Sequence, residues 1–79
     1  MDEYIKILLF GNLVEIVGGC ELTFPYVADT ETLIEALYAK YENLRAQTFS
    51  IAVNKSIILE NTKIENRDEV ALLPPFSGG

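Results

Sequence analysis

The sequence predicts an α+β domain: one mixed sheet with one main helix packed across one face. Two short runs rich in β-branched and aromatic residues open the chain, a helical stripe of apolar residues occupies its middle, and further short extended runs follow. Seventy-nine residues cannot divide their apolar content between two cores, so a single domain is expected over residues 1–75, followed by a flexible tail at 76–79. With 49% hydrophobic and 23% charged residues, the composition is that of a folded protein.

Tyr4 to Phe10 is too short for a helix and suits a strand. Ile5, Ile7 and Leu9 then share one face, and Tyr4, Lys6, Leu8 and Phe10 the other, which is more apolar than a solvated face needs to be. Gly11 ends this run. Gly18-Gly19 tolerates positive φ just before the next extended segment, Glu21 to Tyr26, so the first two strands read as a hairpin with a long connection.

Asp29 or Thr30 can cap a helix whose first turn carries Glu31, a charge that suits the N-terminal end of the dipole. Leu33, Ile34, Leu37, Tyr38, Tyr41 and Leu44 fall on one stripe of it, with the two tyrosines as packing residues at its border. Glu31, Glu35 and Glu42 lie on the other, solvated side. Ile51 to Val53 and Ile57 to Leu59 are short strands joined by a turn at Asn54-Lys55-Ser56. Glu69 to Leu73 is the last strand, stopped by Pro74-Pro75, which cannot donate to a ladder. Its core pair is Val70 and Leu72, which sends Ala71 and Leu73 outward.

Twelve acidic against six basic residues give a net charge of -6, which repels phosphate backbones and anionic membrane surfaces, so neither nucleic acid nor membrane is an expected partner. The apolar stretch Ile7 to Phe10 is too short for a signal-peptide core, and a cytoplasmic protein is expected. There is no histidine and a single cysteine, so no intramolecular disulfide, nucleophile–base pair with imidazole or metal site is expected. Cys20 reads as a small apolar residue at a strand start. A plant-type iron–sulfur cluster would need four cysteines.

The tail is the most informative segment. Pro74-Pro75 favours a stiff extended path, Phe76 offers one bulky anchor, and Ser77-Gly78-Gly79 has almost no side chain. Six such residues reach on the order of 20 Å. A chain end that threads a narrow channel and presents the Gly79 carboxylate to another protein's catalytic groups needs this profile, although the tail taken alone also reads as a frayed terminus.

The ending Asp68-Glu69-Val70-Ala71-Leu72-Leu73-Pro74-Pro75-Phe76-Ser77-Gly78-Gly79, together with Ile5-Lys6-Ile7-Leu8-Leu9-Phe10, Glu15, Gly18 and Val53-Asn54, resembles the MoaD family of β-grasp sulfur carriers, the small subunits of molybdopterin synthase. The resemblance covers nearly the whole chain, and the Pro-Pro-x-Ser-Gly-Gly ending is its most specific part. It implies a ubiquitin-like β-grasp fold and a non-catalytic, sulfur-donating subunit of a two-subunit enzyme. It also implies two partners, an adenylating (E1-like) enzyme and the large synthase subunit. ATP is used by the adenylating partner, and no cofactor is expected on the carrier. Gly79 would be the reacting group, first as acyl-adenylate and then as thiocarboxylate, with Phe76, Ser77 and Gly78 threading the channel. The thiocarboxylate would give its sulfur to a cyclic pyranopterin phosphate.

Two positions depart from the family pattern: Val14, where an arginine is frequent, and Arg67, where glycine is frequent. Asn66 is the residue expected to supply a left-handed turn in place of that glycine. Two other functions share the Gly-Gly requirement or the fold. A ubiquitin-like modifier would join Gly79 to lysines of target proteins, and a pure interaction domain would carry an inert tail. A sister carrier serving thiamine synthesis usually has a shorter chain that ends differently. A single helix leaves the outer face of the sheet bare, and Phe10, Ile57 and Leu73 are expected to form an apolar partner-binding patch there, Ile57 through the strand register the family shows.

Overall fold

The computed structural model describes residues 3–75 of the chain. Five strands form one sheet: β1 (Tyr4–Leu9), β2 (Glu21–Pro25), β3 (Ser50–Val53), β4 (Ser56–Ile58) and β5 (Glu69–Leu73), in the spatial order β2-β1-β5-β3-β4. β1 runs parallel to β5 at the centre, and every other neighbouring pair is antiparallel. A parallel pair needs a crossover, and the long segment between the two hairpins supplies it with the main helix, α2 (Thr30–Lys40). The sheet is mixed and one main helix crosses it, as the residue pattern predicts.

The alternation in β1 and β5 sets the core. Ile5, Ile7, Val70 and Leu72 are fully buried, and Leu9 nearly so. Leu33 and Leu37 of α2 lie against them, with Leu13, Leu44 and Ile64 closing the ends of the same cluster. At about 25 cal/mol per Å² of apolar surface, each of these side chains contributes roughly 1.5–3 kcal/mol on burial.

Several boundaries differ from the sequence expectation. The connection between β1 and β2 contains a short helix, α1 (Leu13–Val17), which buries Leu13 and ends on Gly18 at φ 94°. The Gly18 and Gly19 N–H groups both donate to the Val14 carbonyl, a capping that leaves no Cβ to clash. Sequence spacing alone misses so short a helix because one turn shows no periodicity. The stripe through Tyr41 and Leu44 is not one helix either. Tyr41 leaves helical geometry at φ −123°, ψ 86°, and Glu42–Ala46 forms a 3-10 turn that buries Leu44.

Leu59 lies beyond the end of β4 and is 96% exposed. Cys20, expected as a small apolar residue, is exposed. At the position where the family favours glycine, Arg67 itself takes the left-handed conformation, φ 72°, while Asn66 uses its side chain instead. Asn66 Oδ1 accepts the Tyr4 N–H at 2.9 Å, and the Arg67 N–H donates to the Tyr4 carbonyl. The expected compensation by an Asn66 turn is therefore replaced by a bond that ties the start of β1 to the segment before β5.

No helix among the described residues is long and apolar enough to cross a membrane.

Candidate functional site

The outer face of the sheet is built by the residues that alternate with the core positions. In the register of β1, β5, β3 and β4, Leu8 stands beside Ala71, Ala71 beside Ala52, and Ala52 beside Ile57. One row higher, Leu73 stands beside Ser50, and Phe10 follows the Leu9–Leu72 pair. This row ends where the chain leaves the sheet at Pro74.

Phe10, Ile57 and Leu73 line a single groove of about 460 Å³ with Ser50, Pro74 and Pro75. Phe10 is 45% exposed and Ile57 59% exposed, so two large apolar side chains face solvent next to the root of the tail. Neither α1 nor α2 lines this groove. The three residues expected as a patch are thus placed together, and the two prolines and Ser50 are added to them. Sequence alternation gives the side of the sheet on which Leu73 and Phe10 lie, but the inclusion of Ser50 and Ile57 depends on strand order.

Gly11 governs how the tail root sits. It has φ 61°, and a Cβ placed on it would lie 2.8 Å from Pro74 Cγ. Glycine is favoured on both counts, by the left-handed backbone and by the close approach of the proline ring. The path of Pro74 off the sheet is in this way packed against the end of β1.

The other end of β5 is anchored by polar groups. Asn54, at φ 50° in the β3–β4 turn, donates from Nδ2 to Asp68 Oδ1 at 3.0 Å and accepts the Glu69 N–H on Oδ1 at 3.0 Å. Its backbone N–H donates to the Glu69 carbonyl, and Asp68 Oδ2 accepts the Glu65 N–H. Val53-Asn54 and Asp68-Glu69, which carry the family resemblance, thus meet in space to hold the start of the strand that delivers the tail. Val14, where the family favours arginine, is half-buried against the core. Gly79, Gly78, Ser77 and Phe76 lie outside the described residues. What the described part offers is an exposed apolar groove beside the root of the tail, with no buried side-chain polar atom left unsatisfied.

Residues 7–79 match the ThiS family. The molybdopterin synthase sulfur carrier subunit of Arabidopsis thaliana is 32% identical over 79 residues, covering 95% of this chain and 82% of that protein. The subunit of the same name from Chlamydomonas reinhardtii is 35% identical, with 95% and 98% covered. Among solved structures, the small archaeal modifier protein 1 from Methanosarcina acetivorans superimposes with a TM-score of 0.83 at 28% identity, covering 98% of this chain and 97% of that one. A putative molybdopterin converting factor, subunit 1, from Pyrococcus furiosus shares the fold with a TM-score of 0.85 at 20% identity, over 94% and 99% of the two chains. The five-stranded mixed sheet, the crossing helix and the full-length relatives lead to one conclusion: this chain is a ubiquitin-like β-grasp protein that belongs to the ThiS family.

Proposed function

We propose that this chain is the sulfur carrier subunit of a molybdopterin synthase and that the Gly79 carboxyl group is where sulfur is carried. The observation that carries the reading is the joint presence of a Pro-Pro-Phe-Ser-Gly-Gly ending, an apolar groove at its root, and relatives named for this role along the full chain. A partner adenylating enzyme uses ATP to convert the carboxylate into an acyl-adenylate, releasing pyrophosphate. A sulfur nucleophile then displaces AMP and leaves a thiocarboxylate. In the large synthase subunit, that sulfur attacks a cyclic pyranopterin phosphate, and hydrolysis returns Gly79 to its carboxylate.

In this cycle the carrier contributes position rather than acid–base chemistry, in keeping with a chain that has no histidine. The groove of Phe10, Ile57 and Leu73 docks each partner in turn, and Phe76, Ser77 and Gly78 thread the channel. The test is the mass of the C-terminal peptide after incubation with ATP, an adenylating enzyme and a sulfur donor. Replacement of one oxygen by sulfur at Gly79 is expected, and an unchanged peptide in the presence of active enzymes overturns the reading. Deleting Gly79, or adding one residue after it, displaces the reacting carbon by about 3.5 Å and abolishes transfer without unfolding the domain.

A second reading is favoured by the 28% identity to the archaeal modifier. As a ubiquitin-like modifier, the same activated Gly79 would be attacked by a lysine amine instead of sulfur. Ladders of larger conjugates, absent from a variant lacking Gly79, are its signature.

A further inference from the structure

A second groove, of about 550 Å³, lies on the opposite side of the sheet, between α2, from Thr30 to Tyr38, and the β3–β4 edge. Its apolar wall includes Ile34, Tyr38, Phe49 and Ile58, all half-buried, and Leu59 stands fully exposed at its lip. Ile51 pairs with Ile58 on one side and with the core residue Leu72 on the other, which places this groove on the helix side of the sheet. Ile57 and Leu73, on the other face, belong to the tail-root groove. Ser50 lines both, at the boundary between them.

The charge of this second groove is one-sided. Glu31, Glu35 and Glu60 line it, all exposed, and no lysine or arginine does. None of the three carboxylates pairs with a cation among the described residues, where the ion pairs are Lys6–Glu21 and Lys63–Glu65. Arg45 is held over the Tyr38 ring, 4.8 Å from its centroid. An apolar trough rimmed by carboxylates is complementary to a segment that alternates apolar side chains with lysine or arginine. Leu59 strengthens the case: a leucine left 96% exposed beside such a trough has its natural cover in the occupant.

We propose that the α2–β4 groove is a second docking site, which takes a basic, apolar segment of a partner protein while the tail is engaged elsewhere. The proposal goes beyond the sulfur-carrier reading and does not depend on the state of Gly79. The two grooves face opposite sides of the sheet and share only Ser50 among their lining residues, so a segment seated in one leaves the rest of the other uncovered. A third protein can therefore hold the carrier without competing for the tail-root surface.

The test is a titration of the isotope-labelled full chain with a short blocked peptide of alternating leucine and lysine, read by backbone amide shifts. Saturable shifts are expected at Ile34, Glu35, Leu59 and Glu60. A triple variant, E31Q/E35Q/E60Q, should bind about 5-fold more weakly, as three exposed charge contacts imply, and L59S should also weaken binding. The variant E3Q/E15Q/E42Q carries the same net charge and should bind like the unaltered protein. Equal weakening in the two triple variants, equal binding of a leucine–glutamate peptide, shifts centred on Phe10 and Leu73, or no shifts at all would each overturn the proposal. The titration uses unactivated protein, so its failure is separate from any failure of sulfur transfer.

Discussion

Gly11 and Pro74 approach so closely that no side chain fits between them: a Cβ on Gly11 would stand 2.8 Å from Pro74 Cγ. The two residues are 63 positions apart, yet they meet because β1 and β5 are parallel neighbours whose C-terminal ends lie side by side. The contact gives the tail a defined point of departure next to Phe10 and Leu73.

Gly11→Ala should therefore act at the tail root as well as on stability. The left-handed backbone at φ 61° costs a non-glycine residue roughly 1–2 kcal/mol, and the proline ring must also move. A lower denaturant midpoint is expected together with amide shift changes at Leu73, the last residue before the prolines. A variant with an unchanged midpoint and an unchanged Leu73 signal would show that the approach is not constraining.

Phe10→Glu tests the tail-root groove. Phe10 is 45% exposed, so a charge there costs little in folding, within about 0.5 kcal/mol. Binding to an adenylating enzyme and to a large synthase subunit should both fall about tenfold or more, as loss of a central apolar anchor implies. Titration calorimetry with each partner, beside a thermal melt, checks this. Undiminished binding to both partners would remove the groove from the docking surface.

Lys55→Gly should stabilise the domain by roughly 0.5–1 kcal/mol. Asn54 and Lys55 have φ 50° and 75°, the pair of positive values that a two-residue hairpin turn requires, and glycine is preferred at the second position. Arg67→Gly should give less, although Arg67 has φ 72°, because its guanidinium lies over the Tyr4 ring at 5.5 Å and that contact is lost. Urea midpoints of the two variants, compared directly, check the order.

The carboxyl of Asp29 titrates below its ordinary value of 3.8. Hydrogen bonds from Thr32, first the hydroxyl and then the backbone N–H, hold it down, and the Asn61 amide adds to them. A depressed acid contributes stability that is present above its unfolded value and is lost as pH falls through its folded value. Melting temperature should thus drop below about pH 4 in a step that Asp29→Asn lacks, since asparagine still caps the helix without titrating. The same acid slope in both proteins would assign the loss to other groups.

The sequence alone determined the parts of this protein that depend on local chemistry. Alternation placed Ile5, Ile7, Leu9, Val70 and Leu72 in the core and turned Leu8 and Ala71 outward, because side chains of a strand can only point to one face or the other. The helix start at Asp29 or Thr30 and the turn over Asn54-Lys55-Ser56 were legible as well, because caps and turns are set by local side-chain and backbone chemistry. Strand order was not. Ile57 joins Phe10 and Leu73 only because β3 lies between β4 and β5, a pairing made by residues far apart in the chain. Ile64 is fully buried in a segment with no periodic pattern, held by its N–H donating to the Ala28 carbonyl and by the Tyr26 hydroxyl donating to the Ile64 carbonyl. Arg67 takes a left-handed turn in which its N–H donates to the Tyr4 carbonyl. Tertiary structure decided these positions, since each is selected by a hydrogen bond or a neighbour that the local sequence does not contain.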